Sequence, residues 1–162
     1  MSSLAESVHD LLKGRGETVA TAESLTGGQL AALLTAAPGA SETFLGGVVS
    51  YATEVKVEVL GVDTALVERH GVVSAECARA MARGARALMR ATYGVSTTGV
   101  AGPDDQEGKP PGTVYVGVAG PRGDSALALD LVGGRSAIQD RTCSEALSAL
   151  AGILREEETS LG

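Results

Sequence analysis

The feature that most limits the fold is an alternation of chain types. Thr18 to Ala22 is a short β-prone run that leads through Glu23 and Ser24 into Thr26-Gly27-Gly28 and then an apolar helical stretch, Gln29 to Thr35. Upstream, Leu4, Val8, Leu11 and Leu12 recur at helical spacing, and Gly14 and Gly16 end that helix. Downstream, Pro38 and Gly39 break the second helix. Phe44 to Tyr51 is a nearly unbroken apolar run and reads as a buried strand. Thr53 is placed to cap a short helix that carries Lys56, and Asp63 to cap another through Glu68. Ser74 is placed to cap a longer helix over 75–90, with Cys77, Met81, Ala85 and Leu88 on one face. Gly94 to Thr98 reads as a central strand and Gly99 to Pro111 as a loop. Thr113 to Ala119 and Ser125 to Leu131 form a hairpin around Gly120-Pro121-Arg122-Gly123. Ile138, Ala146, Leu147, Leu150, Ile153 and Leu154 mark a last long helix, and the tail from Glu156 to Gly162 is expected to fray. Helices alternating with strands early, and a hairpin late, predict a three-layer α/β/α sandwich with a mixed sheet of about five strands. One domain over 1–162 accommodates it, without repeat or linker.

Bulk is scarce in this chain. Phe44, Tyr51, Tyr93 and Tyr115 are its only aromatic residues, there is no Trp, and Gly occurs 22 times. Small residues must therefore do the packing, which favours elements that approach closely. Thirteen Lys and Arg stand against 20 Asp and Glu, a net charge of −7. That balance excludes a broad nucleic-acid surface, which needs clustered positive charge. No apolar stretch nears the roughly 20 residues that span a bilayer, and the N-terminal stretch carries acids, unlike a secretory signal. A cytoplasmic protein is expected. Cys77 and Cys143 lack partnered histidines, so they read as reduced thiols and not as a zinc pattern. No metal or cofactor is expected.

Four segments can carry chemistry. In Ala22-Glu23-Ser24-Leu25-Thr26-Gly27-Gly28 a serine sits where a strand turns into a helix, at the sheet edge where α/β ligands bind. The free N–H groups of that helix start can hold an oxyanion or a phosphate, although a serine there is also an ordinary cap. In Ser50-Tyr51-Ala52-Thr53-Glu54-Val55-Lys56 a Tyr ends a strand and a Lys follows five residues later. A catalytic serine needs a base. His9 is expected on the exposed side of the first helix and His70 in a turn, which leaves Lys56, activated by burial. A solvated surface Lys fits the same pattern. In Ser96-Thr97-Thr98-Gly99-Val100-Ala101-Gly102-Pro103 a strand ends in a Gly-rich loop, with Thr98 expected to face the Ser24 edge. Last, Gly133-Gly134-Arg135 and Arg141 supply a guanidinium for an anion, or two surface arginines.

Five stretches in this order resemble the CinA C-terminal domain family: Thr21 to Gly28, Gly46 to Lys56, Gly71 to Arg86, Thr98 to Pro103 and Lys109 to Ala119. The stand-alone members of that family include nicotinamide-nucleotide amidases. The resemblance implies an α/β/α fold, a homodimer, and hydrolysis of nicotinamide mononucleotide to nicotinate mononucleotide and ammonia. It points to Ser24 as nucleophile, with Tyr51, Lys56 and Thr98 completing the site. On this reading Lys56 takes the Ser24 proton, directly or through Tyr51. N–H groups near Gly27 and Gly28, with the Thr98 hydroxyl, hold the oxyanion. Thr26, Gly27, Gly28, Gly99, Gly102, Arg135 and Arg141 bind the nucleotide. Two positions depart from the family pattern. Thr53 stands where Asn is common, and Gln139 stands where an Arg is common, with Arg141 nearby to compensate. Both bear on substrate preference. A non-catalytic nucleotide-binding domain and an amidase for another small amide are the alternatives.

Overall fold

The computed structural model describes residues 3–161. Five strands form one mixed sheet in the order β2-β1-β3-β4-β5: β1 (Val19–Glu23), β2 (Phe44–Val49), β3 (Tyr93–Gly99), β4 (Thr113–Gly120) and β5 (Gly123–Asp130). β1 pairs in parallel with β2 and β3, whereas β4 and β5 run antiparallel. Pairing of β1 with β2 begins at Val19 with Phe44, shifts register before Ala20, which faces Gly46, and continues to Glu23 with Val49. The three parallel strands therefore end together, and their carboxyl edge is where the sequence places Ser24, Tyr51 and Gly99.

The helices are α1 (Leu4–Arg15), α2 (Gln29–Ala36), α3 (Ala40–Thr43), α4 (Thr53–Glu58), α5 (Thr64–His70), α6 (Ala75–Met89) and α7 (Arg135–Leu161). α1, α2 and α7 cover one face of the sheet. There Val8, Leu12, Leu30, Leu34, Leu150 and Leu154 pack with Val19, Val95 and Val116. α6 covers the other face, where Cys77, Met81 and Ala85 pack with Ala20 and Ala22. Close approach replaces bulk on this second face. A Cβ at Gly94 would lie 2.0 Å from the Ala82 carbonyl, and one at Gly117 would lie 2.3 Å from the Ala78 carbonyl, so both strands need glycine under α6. The three-layer mixed fold is the one expected from the sequence.

Several local expectations change. β2 is an edge strand whose exposure alternates, with Leu45 and Val49 half exposed, and not a buried strand. Its apolar run reflects cover from one side only. Thr53 is the first residue of α4; Ala52 holds the cap position and no side chain caps that helix. Asp63 and Ser74 do cap α5 and α6, through Ala65 N–H and Cys77 N–H. The tail does not fray within the described residues, because α7 continues to Leu161. Glu157 anchors it by accepting from Arg15 Nη2 at 2.6 Å and from the Tyr93 hydroxyl; Gly162 lies outside the described residues. His9 is buried, not exposed, with its ring against the Thr43 hydroxyl and the Leu34 carbonyl. His70 is the last residue of α5. Cys77 and Cys143 are both free and buried. Among the described residues no helix is long and apolar enough to cross a membrane, and no cluster of His, Cys, Asp or Glu is arranged to hold a metal ion.

Candidate functional site

β1 delivers Ser24 to the carboxyl edge, where Ser24 N–H makes the last bond of the parallel ladder by donating to the Thr97 carbonyl at 3.0 Å. β2 ends one strand over, and Ser50 N–H and Oγ both donate to the Glu23 carbonyl, at 2.7 and 3.1 Å. α4 then brings Lys56 back beneath the turn. Lys56 is only 1% exposed. Its Nζ lies 3.0 Å from Ser24 Oγ, 2.7 Å from the Ser50 carbonyl and 3.1 Å from the Tyr51 carbonyl.

As an ammonium, Lys56 donates to all three oxygens, Ser24 Oγ and the two carbonyls. As a neutral amine it has two N–H donors for the two carbonyls and one lone pair, which can accept the Ser24 hydroxyl proton. Burial lowers the Lys56 pKa, against a smaller raising influence from Cys77 and Glu107. The Cys77 thiol is itself pushed up to about 11 by burial, so it brings no charge to the amine at neutral pH. Among the described residues no carboxylate forms an ion pair with Lys56. The arrangement can move a proton from Ser24 Oγ to nitrogen without an intermediary.

Above Ser24 lies a cleft of about 380 Å³. Its walls are the Ser24–Leu25 turn, Tyr51, the loop from Gly99 to Gln106, and Arg135. The loop is pinned from behind. The Glu107 carboxylate accepts from Val72 N–H and Val73 N–H, each at 2.9 Å, and Lys109 Nζ donates to the Val73 carbonyl. Arg135 Nη1 donates to the Gly102 carbonyl at 2.6 Å, which holds its guanidinium at the rim. Asp104 and Asp105 share the same wall.

The structure thus brings Ser24, Tyr51, Lys56, Gly99, Gly102 and Arg135 together, and separates others. Tyr51 gives Lys56 its carbonyl and gives the cleft its 65% exposed side chain. Its phenol makes no hydrogen bond to Ser24 or Lys56 among the described residues, and their direct contact leaves a relay without a task. Thr98 does not face Ser24. Its buried hydroxyl donates to the Val72 carbonyl at 2.7 Å, toward the α6 side of the sheet. The neighbouring Thr97 faces Ser24 instead, its Oγ1 3.3 Å from Ser24 N and 2.9 Å from Thr26 Oγ1. Arg141 is outside the cleft, paired with Glu145 one turn along α7. Thr26 is buried and outside the cleft lining, with its hydroxyl on Glu23.

The amides expected to hold an oxyanion are already engaged. Gly27 N–H donates to the Ser24 carbonyl, and Gly28 N–H to Glu23 Oε1. Glu23 is 1% exposed. Its carboxylate also accepts from Leu30 N–H at 2.8 Å, Ala31 N–H at 3.0 Å and the Thr26 hydroxyl. The positive end of α2 is therefore occupied by the protein's own acid. At this turn the amides left without an acceptor among the described residues are those of Leu25 and Thr26. Glu23 and Thr97 escaped the sequence reading. An acid just before a helix start was the available signal for Glu23. Thr97 had none, because Ser96-Thr97-Thr98 is polar at every position.

A family model described as the CinA C-terminal domain matches residues 1–154. The chain is 49% identical over 164 residues to a CinA-like protein of Frankia casuarinae, across 99% of this chain and 38% of that protein. It is 46% identical over 159 residues to a CinA-like protein of Synechocystis sp., across 98% of this chain and 38% of that protein. The chain thus spans well under half the length of these curated relatives. Among solved structures, a competence-damaged protein (CinA) superfamily protein from Klebsiella pneumoniae superposes with a TM-score of 0.91 at 32% identity, covering 94% of this chain and 96% of that one. The competence/damage inducible protein CihA from Agrobacterium tumefaciens gives 0.83 at 33%, covering 96% and 99%.

Proposed function

The chain belongs to the CinA C-terminal domain family, and from that premise we propose that it is an amidohydrolase that converts nicotinamide mononucleotide to nicotinate mononucleotide and ammonia. The observation that carries the chemistry is the buried Lys56 amine 3.0 Å from the Oγ of Ser24, a residue that lines an open cleft. The substrate rests on the family resemblance.

Lys56 takes the Ser24 hydroxyl proton as Oγ attacks the carboxamide carbon. The carbonyl oxygen becomes an oxyanion, held by the unengaged Leu25 and Thr26 amides; one such donor contributes about 2.7–4 kcal/mol to lowering the barrier. The Lys56 ammonium returns the proton to the departing nitrogen, the C–N bond breaks, and ammonia leaves an ester on Ser24. Lys56 then takes a proton from water, the hydroxide oxygen attacks the ester carbon, and the carboxylic acid leaves as Ser24 recovers its proton. Arg135 at the rim supplies a cation for the phosphate.

Ammonia release is measured over a panel of amides that includes nicotinamide mononucleotide, free nicotinamide and aliphatic carboxamides. The mononucleotide is expected to be the preferred substrate, and Ser24→Ala to lose turnover while keeping the fold. A Ser24→Ala variant with most of its activity would refute the nucleophile, and a preference for another amide would refute the substrate.

A further inference from the structure

The first turns of α7 reach both walls of the cleft. Arg135 holds the Gly102 carbonyl, Gln29 Nε2 on α2 donates to Asp140, and between them Gln139 Nε2 donates to the Leu25 carbonyl at 2.8 Å. Gln139 is half-buried and does not line the cleft. Among the described residues its one side-chain hydrogen bond is to the peptide that follows the serine by one residue.

That peptide is special within its turn. From Ser24 to Ala32 the N–H groups of Ser24, Gly27, Gly28, Gln29, Leu30, Ala31 and Ala32 all have acceptors. Leu25 N–H and Thr26 N–H have none among the described residues. The Leu25–Thr26 peptide is trans, and in a trans peptide the C=O and the N–H point in opposite directions across one rigid plane. A bond that fixes the Leu25 carbonyl therefore fixes the Thr26 N–H as well. Leu25 itself lines the cleft beside Ser24.

We infer that Gln139 is a positioning residue for the amidase reaction: by holding the Leu25 carbonyl it sets the Thr26 amide as a donor for the developing oxyanion. The inference rests on the Ser24 reading above. Gln139 touches neither the reacting atoms nor the substrate, so its removal should act on the transition state and leave ground-state binding alone.

The test compares ammonia release from nicotinamide mononucleotide by the wild type, Gln139→Met, Gln139→Arg and Ser24→Ala. Met keeps the length of the side chain but has no N–H; Arg keeps a donor. Gln139→Met is expected to lower kcat by about 10- to 100-fold with KM within about two-fold, the size of an oxyanion donor partly misaimed. Gln139→Arg is expected to recover most of that loss. A folded Gln139→Met with wild-type kcat overturns the inference, and so does an Arg variant as slow as the Met variant. If Gln139→Met does not fold, Gln139→Glu, which sets an acceptor against the Leu25 carbonyl, is read by the same criteria. An active Ser24→Ala overturns the serine reading itself. An inactive Ser24→Ala beside an unaffected Gln139→Met overturns only the positioning role.

Discussion

Glu23 offers a sharp test of how this edge of the sheet is held, because the test does not depend on what the protein catalyses. Four donors converge on its buried carboxylate: the amides of Gly28, Leu30 and Ala31 and the hydroxyl of Thr26. Glu23→Ala removes every acceptor at once and leaves a void at the start of α2. Hydrogen bonds to a charged group contribute about 1.5–3 kcal/mol each, but four that share one carboxylate do not add. Thr26 retains Thr97 as a second partner. The net loss should be about 3–5 kcal/mol, in the range of large single-site effects with a named cause. At about 2–4 °C per kcal/mol for a chain of this size, Tm should fall on the order of 10 °C. Glu23→Gln keeps one acceptor oxygen, turns an N–H₂ toward the remaining donors and removes the charge at the helix start, so it should cost about 2–3 kcal/mol. Urea unfolding followed by circular dichroism measures both. A loss below about 1 kcal/mol for Glu23→Ala, with α2 intact, would show that these amides find other acceptors and would refute the reasoning.

Three further outcomes follow. Lys56→Arg should be nearly inactive, since a guanidinium cannot give up its proton, and wild-type kcat/KM should rise with pH through the lowered Lys56 pKa as neutral amine accumulates; a flat profile, or a working Arg variant, would remove Lys56 as base. Gly94→Ala should cost about 3 kcal/mol or more in urea unfolding, because its Cβ would meet the Ala82 carbonyl at 2.0 Å and α6 would have to move; a near-neutral change would mean that α6 sits more loosely than its contacts indicate.

What was legible in the sequence was what is decided locally. Asp63 and Ser74 act on amides two and three residues away, so their capping could be read from the chain. The hairpin was legible from its Gly-Pro-Arg-Gly turn, and the sheet from the spacing of its runs. His9 was not, because its partners on α2 and α3 lie 25 and 34 residues away. The Glu157 anchor joins residues 142 positions apart. At the site, the Ser24 and Lys56 segments were legible as residues, while the 3.0 Å contact depends on the pairing of β1 with β2. The choice between Thr97 and Thr98 turned on strand parity. A step of one residue reverses the face, and a polar triplet gives no alternation from which to read it.

The register shift between Val19 and Ala20 acts as a phase setter for the chemistry proposed at Ser24, four residues later. Leu45 is passed over in the pairing, so β2 spends one more residue than β1 to reach the same point on the sheet. Both strands run out together there, with Ser50 on the Glu23 carbonyl and the Tyr51–Lys56 turn level with Ser24. A strand advances about 3.3 Å per residue. Without the extra residue the carbonyls that hold the amine would arrive out of step by about that length, roughly the whole Ser–Lys separation. Deleting Leu45 is thus equivalent, at Ser24, to dialling the proposed proton transfer out of range, even though the change lies at the far end of an edge strand.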